Sequence, residues 1–145
     1  MKSLFILLLS ISSMLANSTP DNSEKIDPVV LASFQKSFTS AQDVSWSDAG
    51  NFYRAQFLLN CQYVSAFFTK EGSMLGLTKN ISFTQLPIFL QANLKEVQEN
   101  TWITDLFELS NEDGTTYYLT LENANEKITY RSVKNEWTLY QKKSK

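Results

Sequence analysis

The sequence predicts an α+β fold in which tandem α-βββ(β) repeats form one antiparallel sheet with two helices packed on one face. The hydrophobic periodicity has the order helix, strands, helix, strands. The connections between the strands are too short for parallel crossovers, so neighbouring strands must run antiparallel. Moving the first strand hairpin forward by 64 residues places it on the second without a gap, so that Tyr53 meets Tyr117 and Val64 meets Ile128. Matching turn positions and element order favour a duplicated unit.

The first helix of the predicted domain begins at Pro28. Asp27 is a suitable N-cap, and proline is favoured at the first helical position. Apolar residues then recur at helical spacing and predict an amphipathic helix of about three turns. They are Val30, Leu31, Phe34, Phe38 and Ala41.

Alternating apolar and polar residues follow this helix and predict four strands. The first contains Val44 and Trp46, and we expect Trp46 to belong to the core because it shares a face with Val44. The other three cover about residues 52–59, 63–69 and 74–78. Turns are expected at 48–51, around Cys61 and at 70–73.

A second helix is predicted after Ser82, which forms a capping-box pattern with Gln85, while Pro87 falls in the first turn. Its apolar stripe consists of Leu86, Leu90, Leu94 and Val97, widened by Phe89. Residues that predict strands follow this helix in four groups. The groups are Ile103, Asp105, Phe107 and Leu109; Tyr117, Leu119 and Leu121; Ile128 and Tyr130; and Trp137, Leu139 and Tyr140. Trp102 fits either a core or a surface position.

The amino-terminal segment has the layout of a secretory signal. Lys2 precedes an apolar run of about a dozen residues, which is short of the ~20 needed to span a membrane, and small residues precede a cut after Ser18. A buried amino-terminal helix is the alternative. We therefore predict a periplasmic or secreted protein with no stable membrane insertion after signal removal. The predicted organisation is a signal peptide at 1–18, a flexible leader at 19–27, a domain at 28–141 with repeats at about 28–80 and 81–141, and a basic tail at 142–145.

The composition excludes several classes of chemistry. The chain has no histidine, so a Ser-His-Asp triad and a His-ligated zinc or haem site cannot form within it. Asp105 and Glu108 fall on opposite faces of one strand and do not converge. The net charge is −2 at pH 7 without a basic stripe, which gives little basis for nucleic-acid binding. We predict no enzymatic activity, no metal site and no cofactor. Cys61, the single cysteine, is either a tolerated turn residue or a redox or intermolecular-bridge site.

The sheet face opposite the helices carries the candidate binding residues. Its predicted members are Phe52, Arg54, Gln56, Tyr63, Ser65, Phe67, Thr69, Tyr118, Thr120, Glu122, Lys127, Thr129 and Arg131. Clustered aromatic side chains with interspersed arginine are typical of protein-binding surfaces. The binding residues that we predict are Phe52, Arg54, Tyr63, Phe67, Tyr118 and Arg131. Alternatively, cross-strand aromatic pairs only stabilise the open face.

The chain resembles the secreted, beta-lactamase-inhibitor-like, PepSY-like proteins of Bacteroidota over roughly residues 28–141. The resemblance is carried by Phe34 and Phe38 in the first helix, Val44-x-Trp46, Tyr53-x-Ala55-x-Phe57, Ala66-x-Phe68 before Glu71-Gly72, and Leu86-Pro87. Met74 departs from the family pattern, which has an aromatic residue there. The resemblance implies a helix-backed antiparallel sheet with a concave outer face, and it implies no activity.

These observations together favour an exported, non-catalytic binding or inhibitor-like module that uses its open sheet face. The expected partner is a protein or peptide of the cell envelope. Two alternatives remain. A small-molecule carrier would need a cavity of at least a few hundred Å³ between helices and sheet, lined by Phe and Leu. A carboxylate-based hydrolase would need two acidic side chains about 5–9.5 Å apart.

Overall fold

The computed structural model describes residues 23–94 and 100–145. In these residues one antiparallel sheet contains eight strands that lie side by side in chain order. The strands are β1 (Gln42–Asp48), β2 (Phe52–Leu59), β3 (Gln62–Thr69), β4 (Met74–Asn80), β5 (Trp102–Asn111), β6 (Gly114–Glu122), β7 (Glu126–Val133) and β8 (Glu136–Ser144). The helices are α1 (Pro28–Ser37) and α2 (Ile88–Ala92). The predicted signal peptide and Val97 lie outside the described residues.

Helix α1 forms as its sequence predicts. The Asp27 carboxylate accepts a hydrogen bond from the Val29 N–H at 2.9 Å, and so satisfies one of the first backbone donors of the helix. Phe34 is buried against the sheet, and its ring lies 5.0 Å from that of Phe57 and 5.2 Å from that of Trp46, edge to face. The assignment of Trp46 to the core is confirmed.

The second helical segment is broken, whereas the sequence pattern predicted one helix. The capping box forms, because the Ser82 N–H donates to the Gln85 side chain at 2.8 Å, but it caps a 3₁₀ turn at Phe83–Gln85. Pro87 disfavours the helical conformation at Leu86, which is extended at φ −65° and ψ 149°, so α2 begins only after the proline.

The apolar face of α2 is narrower than predicted. Leu86, Leu90 and Leu94 pack in the core beneath it. The predicted widening by Phe89 is wrong, because its side chain is 62% exposed. Phe89 precedes Leu90 by one residue and therefore points about 100° away from the buried stripe.

Both helices pack on the same face of the sheet. Residues paired across antiparallel strands point to the same side. The pairs Val64–Lys79, Lys79–Glu108 and Glu108–Tyr117 carry one face from β3 to β6. The β2 and β3 side chains under α1 therefore share this face with the β5 and β6 side chains under α2. The predicted α+β architecture, with one antiparallel sheet backed by two helices, is confirmed.

The domain extends further at both ends than predicted. Within the predicted leader, Ser23–Lys25 forms a 3₁₀ turn and Ile26 is buried in the core with α1. At the other end β8 continues to Ser144, where the predicted tail pairs with β7. Lys142 lies 2.6 Å from the Glu126 carboxylate. The tail lysines are therefore the end of a strand, because the acidic residues at the β6–β7 turn and the β7 backbone hold them in the sheet.

Candidate binding face

The strand register places all six predicted binding residues on the face opposite the helices, here called the outer face. Arg54 pairs with Phe67 between β2 and β3, and Tyr118 pairs with Arg131 between β6 and β7. Phe52 and Tyr63 occupy alternate positions on the same strands as Arg54 and Phe67. This placement follows from the period of two along each strand, which the sequence pattern identified correctly.

The predicted exposure of these rings is wrong at three of the four aromatic positions. Phe52, Phe67 and Tyr118 are only 2%, 4% and 4% exposed, whereas Tyr63 is 58% exposed. Phe52 and Phe67 cover each other with ring centroids 5.9 Å apart. The outer face therefore contains a second apolar layer, and its exposed aromatic surface is smaller than the composition suggested.

Rings on neighbouring strands explain the burial of Tyr118. Tyr118 stacks on Phe107 with centroids 5.0 Å apart, and the edge of its ring meets Tyr140 at 5.4 Å. Tyr118 and Tyr140 belong to β6 and β8, which are about 9.5 Å apart at ordinary strand spacing. The rings thus converge above β7, as expected if the outer face is concave there.

A cross-strand row of large side chains runs along this face from β3 to β8. Extending the β3–β4 register one step beyond the Val64–Lys79 pair places Tyr63 opposite Asn80. The row continues through pairs of Asn80 with Phe107, of Phe107 with Tyr118, and of Tyr118 with Arg131. Tyr140 closes it at β8, where the Arg131 guanidinium lies 5.7 Å from its ring centroid. We call these six residues the aromatic row: Tyr63, Asn80, Phe107, Tyr118, Arg131 and Tyr140.

Phe107 and Tyr140 were not among the predicted binding residues. Phe107 lay in an alternating strand, and alternation alone does not say which face packs on the helices. Tyr140 lies beyond an irregularity in β7–β8 pairing between Thr129 and Tyr130, which shifts the register. The pairing of Phe107 with Tyr118 and the ring contact between Tyr118 and Tyr140 decide both assignments.

The surroundings of Tyr118 raise the pKa of its phenol. Burial raises the pKa of the Tyr118 phenol, and proximity to Tyr140 raises it further, while Arg131 opposes both effects. Beside the aromatic row on the outer face, the hydroxyls of the buried residues Thr120 and Thr129 lie 3.1 Å apart and form a hydrogen bond with each other.

Arg54 occupies a second polar position, on the β2 side of the outer face. Its side chain is partly buried, and its Nε and Nη2 atoms donate to the Ser65 hydroxyl at 3.2 and 3.1 Å. Burial lowers the pKa of the guanidinium, which nevertheless stays protonated because arginine titrates far above neutrality.

Two features of the described residues bear on the alternative functions. Asp105 and Glu108 lie on opposite faces, as predicted, because they pair with Thr120 and Tyr117 respectively. A cleft of about 250 Å³ does lie on the helix side, but its lining includes the Lys79–Glu108 ion pair, 3.4 Å long, and no phenylalanine. That lining differs from the Phe- and Leu-rich cavity expected of a carrier.

Cys61 lies in the β2–β3 hairpin turn, as predicted, and is exposed. Asn60 and Cys61 both have positive φ values, 50° and 63°, as two-residue turns of type I′ require.

Trp102 lies on β5 and is about half exposed. Within residues 23–94 and 100–145, the helices are all too short or too polar to cross a membrane.

Comparison with known proteins places this architecture among solved structures from Bacteroides. No family model and no curated protein matches the chain. A BLIP-like protein from Bacteroides fragilis NCTC 9343 is 18% identical with a TM-score of 0.68, and the match covers 86% of this chain and 92% of that one. A DUF2874 family protein from Bacteroides ovatus ATCC 8483 is 15% identical with a TM-score of 0.72, and the match covers 83% and 88% of the two chains. A protein from Bacteroides eggerthii DSM 20697, provisionally assigned to the periplasm, is 12% identical with a TM-score of 0.72, over 82% and 88%. The chain thus has the fold of the BLIP-like and DUF2874 family proteins of Bacteroides, as its predicted resemblance to beta-lactamase-inhibitor-like proteins implied.

Proposed function

We propose that this protein is an exported, non-catalytic binding module that holds a protein or peptide of the cell envelope against its outer face. The aromatic row carries the proposal. It combines the exposed Tyr63 and Arg131 with the partly exposed Phe107 and Tyr140. Both described helices pack on the other side of the sheet. The buried Tyr118 supports the neighbouring side chains from within.

The extent of the row favours a macromolecular partner. From β3 to β8 it crosses five strand spacings, or roughly 24 Å. That length suits a protein interface, whose core is enriched in tyrosine, phenylalanine and arginine, better than a small-molecule site, which is an enclosed cavity. The name of the BLIP-like protein from Bacteroides fragilis suggests inhibitor-like binding, which agrees with a protein partner for this chain.

Export is the second part of the proposal. The sequence of residues 1–18 has the features of a signal peptide, and a structural neighbour is provisionally assigned to the periplasm. We place the mature protein in the periplasm or outside the cell. The order of helix and strands occurs twice in the fold, which supports a duplicated unit of PepSY-like type at about residues 28–80 and 81–141.

Site-specific photo-crosslinking tests the use of the outer face. A photoreactive phenylalanine analogue replaces Tyr63 in one variant and Phe89 in another. The two positions are matched, because the side chains are 58% and 62% exposed but lie on opposite sides of the sheet. Irradiation in cells of the source organism is expected to give a discrete adduct from position 63 and none from position 89. Adducts from position 89 alone, or from neither position, would refute the proposal.

Affinity measurements then test the contribution of individual side chains. Against the captured partner, Tyr63→Ala and Arg131→Ala are each expected to weaken binding by roughly tenfold, the effect of losing a moderate hot spot of 1–2 kcal/mol. Lys134→Ala, at an exposed turn outside the outer face, is the control and should leave binding unchanged. Equal losses in all three variants would point to a general charge or folding effect and contradict the assignment.

A further inference from the structure

The two arginines of the chain, Arg54 and Arg131, both lie on the outer face. The ion pairs found within residues 23–94 and 100–145 all use lysine, at Lys70, Lys79, Lys142 and Lys145. Neither guanidinium has a carboxylate partner in this part of the chain. Arginine is the side chain best suited to binding a carboxylate through two parallel hydrogen bonds. Within the described residues, the two side chains best suited to binding a carboxylate are therefore not paired with one.

Arg54 has the more enclosed environment of the two. On β1 its cross-strand neighbour is Ser47, and on β3 it is Phe67, which with Phe52 forms the apolar layer beside it. The Ser65 hydroxyl accepts from Nε and Nη2. No hydrogen bond to a described residue is found for the second terminal nitrogen, Nη1, and since no buried side-chain nitrogen there lacks a partner, Nη1 is accessible to solvent or to a ligand.

Partial burial reduces the hydration of this guanidinium in the free protein, although none of its nitrogen atoms is both buried and without a partner. A guanidinium beside two phenylalanine rings loses hydration, and a hydroxyl compensates a charge less well than a carboxylate does. The lowered pKa of Arg54 has burial as its only cause, which agrees with the lack of a nearby acidic group. An incoming carboxylate would remove the imbalance, and the apolar surroundings would strengthen the interaction.

We propose that Arg54 binds a carboxylate of the partner in a site that Ser65 orients and Phe67 borders. The carboxylate belongs to an Asp or Glu side chain or to a chain terminus. This inference rests on the proposed function of the outer face and adds that the partner is acidic where it meets β2 and β3. Ser65 is a positioning residue, because it fixes the plane of the guanidinium.

The small number of arginines allows a direct test on the whole protein by NMR. A ¹⁵N-labelled sample gives two arginine Nε–H signals, which Arg131→Lys assigns. The probes are the peptides Ac-Ala-Glu-Ala-NH₂, with a side-chain carboxylate, and Ac-Ala-Gln-Ala-OH, with a terminal one. Ac-Ala-Gln-Ala-NH₂ is the uncharged control.

The expected result is a saturable shift of the Arg54 signal with an apparent Kd of ~10–100 mM, the range of one charged hydrogen-bonded pair. Of the two charged peptides, the one that binds more tightly shows whether the site prefers a side-chain carboxylate or a terminal carboxylate. The proposal fails if neither charged probe moves the Arg54 signal, or if the uncharged peptide moves it equally. It also fails if the exposed Arg131 signal follows the same curve, since that would indicate non-specific attraction.

Two variants separate this inference from the broader function. With the captured partner, Arg54→Lys keeps the charge but loses the planar fork and should weaken binding at least tenfold, and Ser65→Ala should weaken it less. If crosslinking from position 63 persists while both variants bind normally, only the Arg54 site is wrong. If the charged peptides shift Arg54 but position 63 captures nothing, the carboxylate site stands and the proposed use of the aromatic row is wrong.

Discussion

Replacing Phe67 by alanine is the sharpest test of the second apolar layer. Phe67 lies on the central part of β3, is 4% exposed, and contacts the Phe52 ring on the outer face. Tyr63 lies on the same strand and face but is 58% exposed. The pair therefore offers two aromatic-to-alanine changes that differ chiefly in burial.

The expected losses of unfolding free energy follow from that difference. Complete burial of a phenylalanine side chain contributes ~1.5–3 kcal/mol, and the cavity left by truncation raises the cost to ~3–5 kcal/mol. Because Phe67 is nearly fully buried, Phe67→Ala should cost at least about 3 kcal/mol. Tyr63 buries less than half of its surface and leaves no closed cavity, so Tyr63→Ala should cost about 1 kcal/mol.

Urea unfolding, followed by tryptophan fluorescence and far-UV circular dichroism, measures both losses. A shift of the midpoint at constant slope reports a change in stability alone. Similar stabilities for Phe67→Ala and Tyr63→Ala would refute the conclusion that the outer face contains a second core. Such a result would return Phe67 to the exposed surface that its sequence position first suggested.

Three further changes test other parts of the structure. Trp137→Phe keeps an aromatic ring but removes the indole N–H that donates to the Leu90 carbonyl at 3.1 Å, and should cost about 1 kcal/mol in urea unfolding. Asp105→Asn should stabilise the protein at pH 7. Burial raises the pKa of the Asp105 carboxyl in the folded state, so the stability that this group contributes is complete at low pH and is lost as the pH rises through the folded pKa. The stability gained by Asp105→Asn over wild type should therefore vanish below about pH 4. A gain that is the same at every pH would show that the raised pKa of Asp105 is not its cause. Gly72→Ala should cost ~1–3 kcal/mol, since φ is +90° and the new Cβ would lie 3.2 Å from the Val29 carbonyl oxygen; an unchanged thermal midpoint would show that the turn relaxes freely.

Much of the fold could be predicted because its elements are set by local rules. Asp27 and Pro28 mark the start of α1 through capping and backbone restriction, which involve only neighbouring residues. The strands of the first half follow from alternation between turn residues. The second helix shows where local rules compete, because the capping box at Ser82 and the apolar spacing favour one helix while Pro87 divides it.

The candidate site was only partly predictable. The face of Phe52, Arg54 and Phe67 follows from their spacing, and the register confirms it. Their burial does not follow, because it depends on how strongly the sheet curves and on which side chains of other strands reach over them. Whether any of these residues binds a partner stays a prediction.

The sequence by itself determined the order of the elements, the face that the six predicted binding residues share and the chemistry that a chain without histidine cannot perform. Tertiary structure alone decided that Tyr118 is buried while Tyr63 is exposed, and that Phe107 and Tyr140 join them in one row. The physical reason is that the direction of a side chain depends on the backbone of its own strand, whereas its contact with water depends on strands that are distant in sequence and brought together only by the curved sheet.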